Sequence, residues 1–266
     1  MTAAAFFDLD RTLISGASAF PFAVEAWRAG LVTNREIARW AISAFTFLLA
    51  GDKGENVSDN ARTEFLGKVA GVSVDQLDAI AREMLPNLVN DIRPESKKLI
   101  QMHHDAGRET WIVSASPQTI VGSLAQALGM DGAIGTRGRI VEGHYTDQLD
   151  GPFVYGEGKA TAIRSLAEER GYDLQLSYAY SDSISDLPML ETVGHPVAVN
   201  PDGELERIAY ERGWPIVIFA RRTKRAIALG SAATLATGGM AAAYLLGRHH
   251  GMRRRFGWPG LASLRS

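Results

Sequence analysis

The sequence contains no cysteine, which removes disulfides, thiolate metal sites and cysteine nucleophiles together. That usage is compatible with a reducing compartment. There is no excess of positive charge either. The formal net charge is -2, so no global basic field argues for a nucleic-acid partner, and none is expected. A signal peptide is not expected: Ala3–Phe7 is short, lacks a basic flank and runs straight into Asp8. A cytoplasmic catalytic domain is therefore the expectation. Long apolar runs are scarce. One stretch, Ala226–Gly247, has 22 residues without charge, long enough to cross a bilayer as a helix. Arg221, Arg222, Lys224 and Arg225 precede it, and Arg248 and Arg253–Arg255 follow. Eight alanines and four glycines make it only weakly apolar. A single-pass membrane anchor is the favoured reading, against an amphipathic or core-packed helix or a disordered tail. Basic residues on both flanks leave its orientation open.

What is present is an ordinary globular composition, 46% apolar and 22% charged over 266 residues. Such a length accommodates one core plus a smaller insert. Short apolar runs at Ala3–Phe7, Thr110–Ser114, Ser177–Tyr180, Pro196–Val199 and Pro215–Phe219 alternate with amphipathic stretches. That pattern predicts buried parallel strands in a doubly wound α/β sheet, with the chemistry at the carboxyl ends of the strands. From about Ser15 to Asp91 the rhythm changes. Helical patterns run over Phe20–Ala29, Asn34–Leu49, Asp59–Val69 and Val74–Leu85. Asn34 and Ser73 read as N-caps, and Gly30, Gly51 and Gly71 as stops. The expected organisation is a catalytic core of residues 1–14 and 92–221, an all-helical cap of residues 15–91, and a basic, hydrophobic tail of residues 222–266. Arg139–Asp150 reads as a polar hairpin or flap.

Asp8 and Asp10 follow the first strand at a spacing that gives both carboxylates one heading. Like charges so placed call for a cation or a shared proton. The plainer reading is a turn with solvated acids, and the flanking apolar residues weaken it. Ser114, with the Ala115 backbone N–H behind it, suits a phosphate oxygen, although a serine at a strand end is commonly a helix cap. Lys159 stands in Gly156-Glu157-Gly158-Lys159-Ala160 at a helix start, where a cation opposes the helix dipole unless an anion is near. A solvated surface lysine is the commoner case. A phosphate-binding P-loop is excluded by spacing, because residue 153 is not glycine and Ala160 stands where Ser or Thr is required. Asp182 and Asp186 are four apart among small polar residues, so one can ligate a hard cation while the other orients its neighbours. His103 and His104 have no partner spacing and read as surface residues.

The runs Phe-Phe-Asp-Leu-Asp-Arg-Thr-Leu (6–13), Val-Ser-Ala-Ser (113–116), Gly-Glu-Gly-Lys-Ala (156–160) and Tyr-Ser-Asp-Ser-Ile-Ser-Asp-Leu-Pro-Met-Leu (180–190) resemble the four motifs of the haloacid dehalogenase superfamily. More narrowly they resemble subfamily IB, the phosphoserine-phosphatase-like group with a helical cap after the first motif. Val199-Asn200-Pro201-Asp202 is also similar to that group. The resemblance spans roughly residues 3 to 219, and actinobacterial members with a hydrophobic C-terminus are the most alike. It implies a Rossmann-like fold and a Mg²⁺-dependent phosphomonoester hydrolase. Asp8 would be the nucleophile that becomes an aspartyl-phosphate, and Asp10 the general acid and base. Thr12, Ser114, Ala115 and Lys159 would serve the phosphate. The Asp8 carboxylate, the Asp10 carbonyl and Asp182 would hold the metal, with Asp186 in support.

Some positions depart from the pattern. Ala17 stands where phosphoserine phosphatases have a glutamate that reads the substrate amine. Ala115-Ser116 replaces a glycine pair, and Ser181, Ser183 and Ser185 replace Gly, Gly and Asn. These changes put phosphoserine in doubt as the substrate more than they do the chemistry. The substrate is expected to be a small phosphomonoester. Trp27, Trp40, Phe45, Phe47, Leu48 and Leu49 in the cap read first as its own core. Their alternative reading is a groove for a lipid phosphate such as lysophosphatidate. A phosphoacceptor module, or a membrane-tethered binding protein without turnover, is the remaining alternative. The Asp-x-Asp-x-Thr spacing and the insert favour the enzyme over the first, and the intact chemical positions count against the second. Oligomeric state is not legible.

Overall fold

The computed structural model describes residues 2–30, 62–63, 66–67 and 69–219. By contact density the chain divides into Met1–Ala220 and Arg221–Ser266. The second unit, with the expected membrane anchor, lies outside the described residues, as do the helices expected over Asn34–Leu49 and most of Asp59–Val69. No helix among the described residues is long and apolar enough to cross a membrane.

In chain order, the strands are β1 (Ala4–Asp8), β2 (Glu109–Pro117), β3 (Gly132–Thr136), β4 (Gly138–Val141), β5 (His144–Leu149), β6 (Tyr178–Ser181), β7 (His195–Val199) and β8 (Ile216–Val217). The described α-helices are α1 (Ala19–Arg28), α2 (Val74–Asp91), α3 (Pro94–Asp105), α4 (Gln118–Ala127), α5 (Glu157–Arg170), α6 (Leu187–Glu191) and α7 (Gly203–Arg212). Six strands form one parallel sheet in the order β3-β2-β1-β6-β7-β8. The order reverses between β1 and β6, which makes the gap at their carboxyl ends the topological switch point.

Alternation along β1 divides the core. Ala5 and Phe7 face a cluster with Met84 and Leu88 of α2, Ile100 of α3 and Leu124 of α4. Ala4 and Phe6 face the other side, with Ile163 of α5, Met189 and Leu190 of α6 and Leu205 of α7. Both faces of β1 are fully buried, which explains its unbroken apolar run. Each buried phenylalanine contributes about 1.5–3 kcal/mol.

The five expected strands are present, and a sixth, β3, was not anticipated. Gly-Ala-Ile-Gly-Thr is poor in strand formers. Its glycines serve packing: a Cβ at Gly132 would meet the Trp111 ring at 2.4 Å, and one at Gly135 would meet Val121 at 2.6 Å. Ser114, expected to close its strand, lies inside β2, which continues to Pro117. The flap is an antiparallel β4–β5 hairpin.

In the insert, Ser73 caps α2 with a reciprocal capping box to Gln76. This helix extends beyond the expected Leu85, through Pro86 to Asp91. Gly30 and Gly71 take positive φ at the ends of their helical stretches. The flap joins the insert through backbone bonds from Gly71 N to Tyr145 O (2.7 Å), Tyr145 N to Val72 O (2.9 Å) and Val74 N to Gly143 O (3.0 Å). The chain leaving β1 and the chain entering α3 pair where the insert departs and returns, Ser15 N donating to Asp91 O at 3.3 Å and Arg93 N to Leu13 O at 2.9 Å.

His103 requires a correction. It is fully buried, not a surface residue. Ser96, Ile100 and His103 share the face of α3 that packs on the sheet. Arg108 Nε donates to His103 Nδ1 at 2.7 Å, so the neutral ring carries its proton on Nε2 and donates to Tyr180 Oη at 2.8 Å. His104 is half-buried and bonds Thr110 Oγ1 at 2.8 Å.

Candidate active site

At the end of β1 the backbone does not continue as a strand. Leu9–Leu13 forms a tight turn in which Asp10 is extended (φ -73°, ψ 128°) and Arg11 is left-handed (φ 59°, ψ -8°). This turn sends Asp8 and Asp10 to different partners. Asp8 is buried and Oδ1 accepts from Lys159 Nζ at 2.6 Å. Asp10 is half-buried and its Oδ1 accepts from the Ser18 backbone N–H at 2.6 Å, just ahead of α1. A cation or a shared proton was expected between Asp8 and Asp10; the cation that meets Asp8 is Lys159 of α5, which joins it to Asp186 instead.

Lys159 is only 3% exposed, which overturns the solvated-lysine reading. It reaches inward because α5 starts hard against the preceding loop. A Cβ at Gly158 would sit 1.8 Å from the Phe153 carbonyl oxygen, so only glycine permits that approach. Besides Asp8, the ammonium donates to Asp186 Oδ2 at 2.7 Å. Ser181 Oγ donates to the same Asp186 oxygen at 2.7 Å. The serine that departs from the family pattern therefore takes part in the cluster.

Asp182 follows β6, across the switch point from Asp8. Its carboxylate contacts Arg11 Nε at 2.7 Å and accepts a long bond from Thr12 Oγ1 at 3.5 Å. Asp202 braces this loop: its N–H donates to Asp182 O, and its carboxylate accepts from Ile184 N and Leu205 N. On the other flank, Ser114 is buried in β2 and its hydroxyl accepts from Ser116 N at 3.2 Å. Ala115 is half-buried beside it. Ser116 Oγ lies 3.0 Å from Ser18 Oγ, tying the second motif to the start of α1. Lys159 brings Asp8 and Asp186 together directly, and Asp182 stands near them, held by Arg11 and Thr12. Asp10, Ser114 and Ala115 stand on the flank. Ser18 and the Arg11 contact were not foreseen, and Ser116 and Asp202 were read only as parts of family-like runs, without these partners. A serine, whether in a loop like Ser18 or near a strand end like Ser116, carries no local signal of such a partner.

The electrostatics are unbalanced. Four carboxylates, from Asp8, Asp10, Asp182 and Asp186, share Lys159 and Arg11. Burial pushes Asp8 well above the usual carboxylate range against the pull of Lys159, and Asp186, Asp182 and Asp10 push it further. Burial also raises Asp10, opposed chiefly by the Ser18 hydrogen bonds. Asp182 is pushed up to about 7 by burial, with Arg11 opposing. Burial alone would lower Lys159, but Asp186 and Asp8 outweigh it and hold the ammonium charged. Among the described residues no three acidic or histidine side chains form a ready metal cage. The ligand set implied by resemblance needs only two side chains and a backbone carbonyl, and the surplus negative charge suits a hard divalent cation.

A buried carboxylate–lysine cluster at the switch point of a parallel sheet is the arrangement of an α/β enzyme, with its reactive groups at the strand ends. Residues 5–191 match the family model of haloacid dehalogenase-like hydrolases, and the chain belongs to that family. It is an enzyme of the phosphatase type. A probable phosphatase of Mycobacterium tuberculosis is 43% identical over 237 residues, covering 88% of this chain and 82% of the relative. A phosphoserine phosphatase of the same organism is 39% identical over 251 residues, covering 93% of this chain and 81% of the relative. A crystal structure of a Bordetella pertussis protein of unknown function shares the fold at TM-score 0.70 and 28% identity, covering 82% of this chain and 99% of that one.

Proposed function

We propose that the chain is a Mg²⁺-dependent hydrolase of small phosphomonoesters that works through an aspartyl-phosphate on Asp8. The observation that carries this reading is the Lys159 ammonium, bonded at once to Asp8 and Asp186 across the switch point from Asp182. Phosphoryl transfer asks mainly for positioning and charge neutralisation.

Asp8 Oδ attacks phosphorus as the bond to the ester oxygen breaks. Asp10, its carboxyl raised by burial, gives its proton to the departing alkoxide. Water then attacks the aspartyl-phosphate, Asp10 takes that water's proton, and the bond to Asp8 breaks to release phosphate. Lys159 steadies the charge on Asp8 and on the phosphoryl oxygens. The Ser114 hydroxyl and the Ala115 N–H hold phosphate oxygens, and Thr12 and Asp186 support the ligand carboxylates. Mg²⁺, held by Asp8, the Asp10 carbonyl and Asp182, would supply neutralisation of the transferring group. Residues 15–91 serve as the cap that selects the substrate, over a core of 1–14 and 92–221. The membrane reading rests on residues outside the described set, as does the lipid-phosphate reading apart from Trp27, an exposed ring on α1.

The test is phosphate release from a panel running from phosphoserine and sugar phosphates to lysophosphatidate, with Mg²⁺ and with chelator. Metal-dependent turnover of soluble esters is expected, and Asp8→Asn should reduce it by roughly four orders of magnitude or more. Turnover by that variant at the wild-type rate would remove Asp8 as nucleophile.

A further inference from the structure

Asp182 is a proposed metal ligand, yet it is already occupied by a cation from its own chain. Arg11 Nε lies 2.7 Å from Asp182 Oδ2. The two ends of the contact differ. The Asp182 side chain is 5% exposed, whereas that of Arg11 is 43% exposed and has solvent to move into. The Arg11 backbone is left-handed, which disfavours any side chain but suits a tight turn, and its N–H is fixed to Gly16 O at 3.0 Å. The turn thus aims a long cationic side chain across the switch point from a fixed base. The other Asp182 oxygen faces Thr12 Oγ1, so both oxygens meet residues of this one turn.

We propose that Arg11 is a resident counter-ion that gates the metal site: it holds Asp182 while the site is metal-free and must swing out for a divalent cation to bind. This rests on the Mg²⁺ reading given above. A guanidinium and a divalent cation at contact with one carboxylate repel each other, so the two compete. Competition weakens apparent affinity by the fraction of molecules in which Asp182 is engaged. In a purely structural role, Arg11 would orient Asp182 for the metal, and its loss would weaken binding. The two roles therefore have opposite signs.

The experiment titrates Mg²⁺ into the full chain by calorimetry, for wild type, Arg11→Asn and Arg11→Gly, and records Tm in chelator and in saturating Mg²⁺. Asparagine and glycine both accept the left-handed backbone, so the fold is kept. Both variants should bind Mg²⁺ roughly tenfold more tightly. Both should also gain more Tm from the metal than wild type does, because their metal-free form leaves Asp182 with Thr12 but without its cation. Arg11→Lys, which keeps the charge, should fall between. Wild-type binding with unchanged or weaker affinity in the two variants overturns the gate and leaves the metal reading standing. A wild-type chain with neither heat nor Tm shift overturns both.

Discussion

On β1, Phe7 and Asp8 are neighbours in sequence, yet each belongs to a different kind of buried polar layer. The Asp8 layer sets Asp8 and Asp186 on Lys159, with Asp182 nearby and held by Arg11 at the rim. The Phe7 layer holds Tyr180 stacked on Phe7 at 4.6 Å, with His103 edge-on to both. Both layers bury titratable groups. In the second, both His103 ring nitrogens have partners and the ring is neutral, since burial, with Arg108 and His104, lowers it to about 4. In the first, the acids outnumber the cations, and burial drives Asp8 and Asp182 upward. Burial of polar groups is therefore not what distinguishes the proposed reactive site here. Imbalance of charge is, because it leaves work for a ligand to do.

Lys159→Met breaks the comparison most severely. It removes the cation that Asp8 and Asp186 share, leaving two buried acids facing each other. Phosphate release should fall roughly a hundred- to a thousandfold, and stability at neutral pH by about 3 to 5 kcal/mol. The sign with pH is specific. Asp8 already has a raised folded-state pKa through burial, and Lys159 is the group that pulls it down, so without the lysine the folded form takes up a proton more readily than the unfolded form. The variant should therefore regain stability as pH falls from 7 towards 5. Urea denaturation across that range checks it, and a stability loss that does not vary with pH would contradict the account.

His103→Leu probes the balanced layer. The folded-state pKa of His103 is about 4 and its ordinary value is 6.5. The neutral ring thus contributes stability that is complete above about pH 6.5 and is lost as pH falls towards 4. Its size is at most about 3 kcal/mol. The buried acids titrate with the opposite sign, so the comparison must be with wild type at each pH. The variant should be less stable at neutral pH, with the difference shrinking towards pH 4, while kcat stays within a fewfold. A constant difference between the two proteins would mean that His103 does not titrate as described.

The sequence was informative about the polar layer and nearly silent about the aromatic one, for physical reasons. Asp8, Lys159, Asp182 and Asp186 sit at strand ends and helix starts, where local pattern and motif spacing are strong. His103 shares a helix face with Ile100, a usable signal, but Tyr180 is 77 residues away and a single sequence gives no sign of the pairing. The strand β3 was hidden by glycines whose purpose is close contact with Trp111 and Val121, a tertiary fact. The Arg11–Asp182 contact depends on a left-handed backbone at a non-glycine residue, which spacing does not reveal. Spacing alone suggested that Asp8 and Asp10 share one heading, but the turn after β1 gives them separate partners.

The finest test of the contrast is Tyr180→Phe. It keeps the ring that stacks on Phe7 at an interplanar angle of 6° and removes only the hydroxyl. Arg108 Nε can only donate, so His103 Nδ1 is the acceptor and Nε2 carries the proton. Without the Tyr180 oxygen that N–H is buried with no acceptor, which costs about 1 to 3 kcal/mol. The lost partner acts on both protonation states of His103, since Nε2 carries a proton in each. The stability loss should therefore vary little between pH 7 and pH 4, in contrast to His103→Leu. Tyr180 lies two residues before Asp182, so catalysis is the sensitive readout of whether the layers are separate. A kcat within about twofold of wild type, with the Mg²⁺ affinity unchanged, is expected of a layer whose polar groups satisfy one another. A large fall in kcat would join the two layers into one network and remove the distinction drawn between them.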